Sequence, residues 1–162
     1  MKKIMELLQN MKAKNEKKDN KGFSLVELII VIAIMAILVG IVGTQVLPYI
    51  DKSRHAKDVQ LLSGLCTDAT AAYSSAASEL TESVYTITID STVSVSGGSD
   101  TAGATKLQNA FAEYNGVTNV KDLKLESKEG KKVTAVTIKC QDSKPMVSVT
   151  TTGGTFDPIE SK

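Results

Sequence analysis

A run of sixteen apolar or small residues, 28–43, follows directly on an acid, Glu27. This pairing constrains the chain more than any other feature. The stretch 23–43 is 21 residues long. As a helix it would extend about 31 Å at 1.5 Å per residue, which matches the roughly 30 Å hydrocarbon layer of a bilayer. A carboxylate at the middle of such a helix costs about 2.5–3.5 kcal/mol, and less towards an end, so it is normally there for a purpose. A segment that served only as an anchor would carry leucine at position 27.

Charge gives the segment a direction. Residues 1–22 hold seven lysines against three acids, a net +4, whereas the rest of the chain is net −3. A lysine-rich flank before an apolar run stays on the cytoplasmic side. The arm lacks arginine and aromatics, which argues against a nucleic-acid partner. An ordinary secretory signal peptide has its small-residue cut site after the apolar run. Here the best processing site, Gly22-Phe23, precedes it, so cutting would leave the apolar segment on the mature chain.

Beyond the run, Gly40, Gly43 and Pro48 weaken the helix, and a kink or meltable segment is expected over 40–48. The periodicity then resumes. Val59, Leu62, Cys66, Ala69, Tyr73 and Ala76 alternate steps of three and four, one stripe facing a core. Asp51, Lys52, Arg54, Lys57, Asp58 and Gln60 read as its polar flank. Helix is therefore expected from Ser24 to about Ala77. Strand patterns follow at 84–89 and 93–95, ending at Gly97-Gly98. A short helix at 104–114 ends at Asn115-Gly116. Three strands at 120–126, 133–141 and 146–151 read as an antiparallel meander with Leu123/Leu125, Val136/Ile138/Cys140 and Val147/Val149 on its core face. The fold class is α+β: a long N-terminal helix on a small antiparallel sheet. The division expected is a leader 1–22, a membrane and core helix 23–50, and a head 51–162. Within that head lie a connecting segment 84–100, the helix 104–114, the sheet 120–151 and a tail 152–162.

The residues Gly22-Phe23-Ser24-Leu25-Val26-Glu27, with the apolar residues to Ile34, closely resemble the N-terminal signature of type IV pilins, which pseudopilins share. The lysine-rich leader and the Ser/Thr-rich head resemble those of clostridial, Gram-positive pilins. The resemblance implies cleavage between Gly22 and Phe23 by a prepilin peptidase and N-methylation of Phe23. It makes Glu27 the assembly acid. A carboxylate in hydrocarbon needs a cation, and the new Phe23 amine of a neighbouring subunit supplies one at similar depth. On this reading neither charge is satisfied in an isolated subunit. The chain departs from the family pattern in having Ala36 where a glycine is common, and in a later proline, Pro48.

The function this implies is the structural subunit of a type IV pilus, acting in adhesion, aggregation or biofilm formation, or twitching motility. Its partners would be copies of itself, the prepilin peptidase, an assembly platform with its ATPase, and minor pilins. Its location would be the cell membrane, with the leader cytoplasmic and the head outside, and later the extracellular filament. The alternatives are a pseudopilin of a secretion or DNA-uptake machine and a signal-anchored surface binding protein. No catalytic constellation, cofactor or metal site is expected. His55, the sole histidine, sits on the polar flank beside Arg54 and reads as solvated. Cys66 and Cys140 both point inward by phase. They would form either a helix-to-sheet disulfide, which an exported location permits, or two buried thiols acting as small apolar residues.

Overall fold

The structure is a computed structural model that describes residues 3–6, 9, 24–144 and 146–161. The expected cut at Gly22-Phe23 lies outside the described residues. The chain divides into two compact units, 1–45 and 46–162.

The first unit contains α1 (Leu25–Ile41), and no residue of α1 is buried. Helix continues from Leu25 to Glu79, and none of its most apolar stretch is covered. It is long and apolar enough to cross a membrane. Between α1 and α2 (Leu47–Ala76) lies a π-helical turn, Val42–Val46. This is the form taken by the irregularity expected over 40–48. Pro48 has no N–H and its ring crowds the carbonyl of Thr44, so the regular ladder cannot run through. Shifting to i→i+5 bonding takes up the mismatch while keeping the chain helical. The Thr44 hydroxyl also donates to the Gly40 carbonyl at 3.0 Å.

The second unit is α2 and α3 (Thr101–Asn115) on a five-stranded antiparallel sheet. The strands are β1 (Val84–Ile89), β2 (Val93–Ser96), β3 (Ala135–Gln141), β4 (Val147–Thr152) and β5 (Ile159–Glu160), in the order β2-β1-β3-β4-β5. The central β1–β3 pair joins distant parts of the chain, with Ile87 opposite Ile138 and Tyr85 opposite Cys140. Helix α2 packs on β3, β4 and β5, while α3 packs on β2 and against α2. The core lies between these layers. Tyr85, Ile87, Ile89, Val136, Ile138 and Cys140 are fully covered from the sheet side, and Leu62, Ala69 and Leu107 from the helices. The alternate strand residues, including Thr86, Thr88, Thr137 and Thr150, face the other way, so alternation sets which face is dry.

The expected strand at 120–126 is corrected. Residues Val120–Leu123 form a 3-10 turn, and the chain then runs without strand pairing. Asn119 and Asp122 make a reciprocal cap that starts this turn, which overrides the apolar alternation of Val120, Leu123 and Leu125. Leu123 still reaches the core. The tail is not a free end: Ile159–Glu160 adds to β4, with Ile159 opposite Val149. The connecting segment 84–100 contributes β1 and β2, so β1 is central rather than peripheral.

Helix α3 runs from Thr101, earlier than the expected 104, because Asp100 caps it and accepts from the Gly103 N–H at 2.8 Å. It ends at Gly116, whose φ of 64° lies in the left-handed region. Gly97 serves close approach instead: a β-carbon there would fall 2.1 Å from the Tyr85 ring. That ring delivers its hydroxyl to the same corner, where it donates to Asp100 and accepts from the N–H groups of Thr81 and Glu82 at 3.1 Å. The Tyr85 hydroxyl, followed by the Gly103 and Thr81 N–H groups, holds the Asp100 carboxyl far below the ordinary carboxylate range.

Candidate functional site

Helix α1 begins at Ser24, whose backbone N–H donates to the Glu27 carboxylate at 2.8 Å. Glu27 thus occupies the third helical position and reaches back to the helix start, where the unpaired N–H groups carry partial positive charge. This bond lends the carboxylate one N–H with partial positive charge and no cation. The rest of α1 offers no polar competitor: Leu25, Val26, Leu28, Ile29 and Ile30 are each more than half exposed. Within its unit, then, the helix presents a wholly uncovered apolar surface with one carboxylate at its start. That arrangement can bind other apolar helices and accept one cation at a fixed height.

The second acid of note, Asp58, is expected on a polar flank. Asp58 is fully buried. Its spacing explains why: 58, 62, 65, 69, 72 and 76 form the buried line of α2, and Asp58 is the first member. One carboxylate oxygen accepts from the Glu126 N–H at 3.0 Å and the other from the Ser127 N–H at 2.9 Å. Burial opposes its charge. The Ser127 hydroxyl, the two N–H groups and the nearby His55 outweigh that and hold the carboxyl below its usual range. Around it, Asp51 accepts from the Lys128 N–H at 3.0 Å, and the Ser127 hydroxyl accepts from the Gly130 N–H at 2.9 Å. Helix α2 therefore clasps the loop 126–130 through two carboxylates, and this loop is otherwise outside any ladder.

His55 is half-buried and not simply solvated: its ring stacks on Phe156, with centroids 4.8 Å apart and planes 12° from parallel. It fixes the tail against α2. Ser127, Asp58 and His55 do not form a nucleophile–base relay. The serine is buried and its hydroxyl is engaged with Asp58.

Cys66 and Cys140 are both buried and both are free thiols. The Cys66 thiol points at the Val147 carbonyl at 3.8 Å. Val147 is also the β4 partner of Cys140, so the two sulfurs lie in one neighbourhood of the core. Burial, helped by Cys66, pushes the Cys140 thiol up to about 12. Among the described residues, no group of three or more His, Cys, Asp or Glu is placed to hold a metal ion.

The prokaryotic N-terminal methylation motif matches residues 17–43, the end of the basic arm through the whole apolar run. No curated protein and no solved structure matches the chain significantly.

Proposed function

We propose, from the premise that a methylation motif on a long N-terminal helix over an antiparallel sheet makes this chain type IV pilin-like or pseudopilin-like, that it is the structural subunit of a type IV pilus. The observation that carries the reading is the motif on a helix with no covered residue. Prepilin peptidase would cut between Gly22 and Phe23, and the freed Phe23 amine would be methylated. The chain would wait in the membrane by its apolar helix, with the head outside, until an assembly platform and its ATPase extract it. The apolar helices of many copies would then replace lipid as one another's solvent.

Glu27 supplies the register in this scheme. Its bond to Ser24 survives the cut, because the Ser24 N–H remains an internal amide. One oxygen stays tied to the helix start, and a neighbour's Phe23 ammonium would pair with the carboxylate. Lateral sliding of two helices would separate these charges in a low dielectric, which is costly. The heads would form the filament surface and mediate adhesion or aggregation.

Mass spectrometry of the exported protein tests the processing step. The expected species begins at a methylated Phe23; a mature protein retaining Met1 would overturn the reading. A pseudopilin would pass this test, and abundant long filaments in sheared cell fractions separate the two roles.

A further inference from the structure

The head carries a lysine-rimmed notch that the assembly reading does not use. Residues 120–133 hold five lysines and three acids, a net +2, whereas the other residues from 23 onward are net −5. A cavity of about 240 Å³ opens in this segment, with Lys121, Lys124 and Lys131 at its edge and Val120, Leu125 and Val133 along its wall. All three lysines are exposed, and among the described residues none of them forms an ion pair. The three acids of the segment are engaged elsewhere. Asp122 accepts from the Thr118 hydroxyl at 2.7 Å and from the Thr118 N–H at 2.9 Å. Glu126 faces Lys57 at 3.5 Å, and Glu129 holds Lys132 at 2.7 Å and the Thr155 N–H at 3.1 Å. The lysine excess of the segment therefore leaves the notch with a net positive local field.

The notch is also built rather than draped. Lys124 has a φ of 49°, the one non-glycine residue in the left-handed region among those described. A lysine adopts this backbone at a cost that glycine or asparagine largely avoids. It is held there by its N–H bond to the Lys121 carbonyl at 3.2 Å. Beyond it, the Asp58 clasp pins 126 and 127, and Gly130 is buried. The loop that presents the lysines is thus tied to α2 by a buried charge.

We propose that this notch binds an acidic polysaccharide, with an anionic sugar unit seated between Lys121, Lys124 and Lys131. The aliphatic wall suits the C–H face of a pyranose ring, and the ammonium groups suit its carboxylate or sulfate. Nucleic acid fits less well. Single strands are held by stacking on aromatic or guanidinium planes, and neither lines the notch. Lysine acts as a point charge and does not need the planar, two-pronged match that arginine makes with phosphate.

The test uses the full chain in detergent micelles and a fluorescent heparin hexasaccharide, with a neutral hexasaccharide and a short DNA duplex as comparison probes. Heparin should bind, the neutral sugar should not, and tripling the salt should weaken binding roughly tenfold, as screening of a few exposed charges demands. The triple variant Lys121→Gln/Lys124→Gln/Lys131→Gln should lose at least about tenfold in affinity. The equal-charge control Lys52→Gln/Lys139→Gln/Lys144→Gln should lose less than about twofold, and both variants should melt like the parent. Equal loss in the two variants would reduce the effect to diffuse charge and overturn the proposal. So would the absence of heparin binding at low salt, or DNA binding that is tighter and depends on the same three lysines.

Discussion

Glu27 and Asp58 lie on the same helical stretch and receive opposite treatment. Asp58 is fully buried, and its own chain provides everything a carboxylate needs: two backbone N–H groups, a hydroxyl, and an imidazole nearby. Glu27 lies on an uncovered apolar helix and receives one N–H from Ser24. A charge completed inside the fold stabilises that fold. A charge left incomplete in an apolar setting favours whatever supplies the missing cation. On the proposed function, the two acids would mark where the folding of one chain ends and association between chains begins.

The largest effect expected on that contrast comes from Glu27→Ala. It should leave a processed, membrane-resident chain and reduce sheared filaments at least about tenfold, because removing one partner of a buried pair strands the other at a cost of about 3–5 kcal/mol. The head's melting temperature should not change. Asp58→Ala should do the reverse. It strands one buried and one part-buried N–H donor at about 1–3 kcal/mol each and should destabilise the head by about 2–4 kcal/mol in denaturant titration. Normal filament yield from Glu27→Ala, or an unaltered head in Asp58→Ala, would break the comparison.

Acid should separate the two regions next. The Asp58 carboxyl is lowered in the folded state, so its contribution is complete above the ordinary carboxylate pKa of about 3.9. It is lost as pH falls through the lower folded value. Asp58→Asn should flatten the head's stability profile below about pH 4 relative to the parent. Equal slopes would mean that other carboxylates govern acid unfolding.

A smaller effect is expected from Phe156→Ala, about 1 kcal/mol, through loss of the ring stack that holds the tail on His55. Thiol labelling gives the remaining check. Alkylation at neutral pH should be slow in the native head and complete for Cys66 and Cys140 after unfolding, since both are buried thiols. A mass unchanged by labelling after unfolding would show a covalent bond between them.

Much of this architecture could be read from the residue pattern, because apolar spacing reports burial directly. The strands at 84–89 and 93–95, the inward Val136, Ile138 and Cys140, and the stripe from Leu62 to Ala76 all follow from periods of two and three to four. The errors arose where a polar group overrode that period. Val120, Leu123 and Leu125 alternate like a strand, but the Asn119–Asp122 cap turns the chain first. Asp58 has the phase of a core residue and the chemistry of a surface one, so residue type alone assigns it to the polar flank. Its partners come from a loop 68 and 69 residues away, which no local pattern reveals. The strand Ile159–Glu160 is two residues long and follows Pro158, too short to show alternation. At the N-terminus the motif was legible because the chemistry of Glu27 and the apolar run are contiguous. The Ser24 bond is not legible there, because helix-start capping looks the same as an ordinary acid in the first turn.

The central claim is that Glu27 is completed by a second chain. A near-atomic electron-microscopy reconstruction of sheared filaments measures this directly. The account predicts a Glu27 carboxylate within about 4 Å of the methylated Phe23 amine of a neighbouring subunit. A filament in which Glu27 contacts only its own chain, with no neighbouring amine in reach, would contradict it.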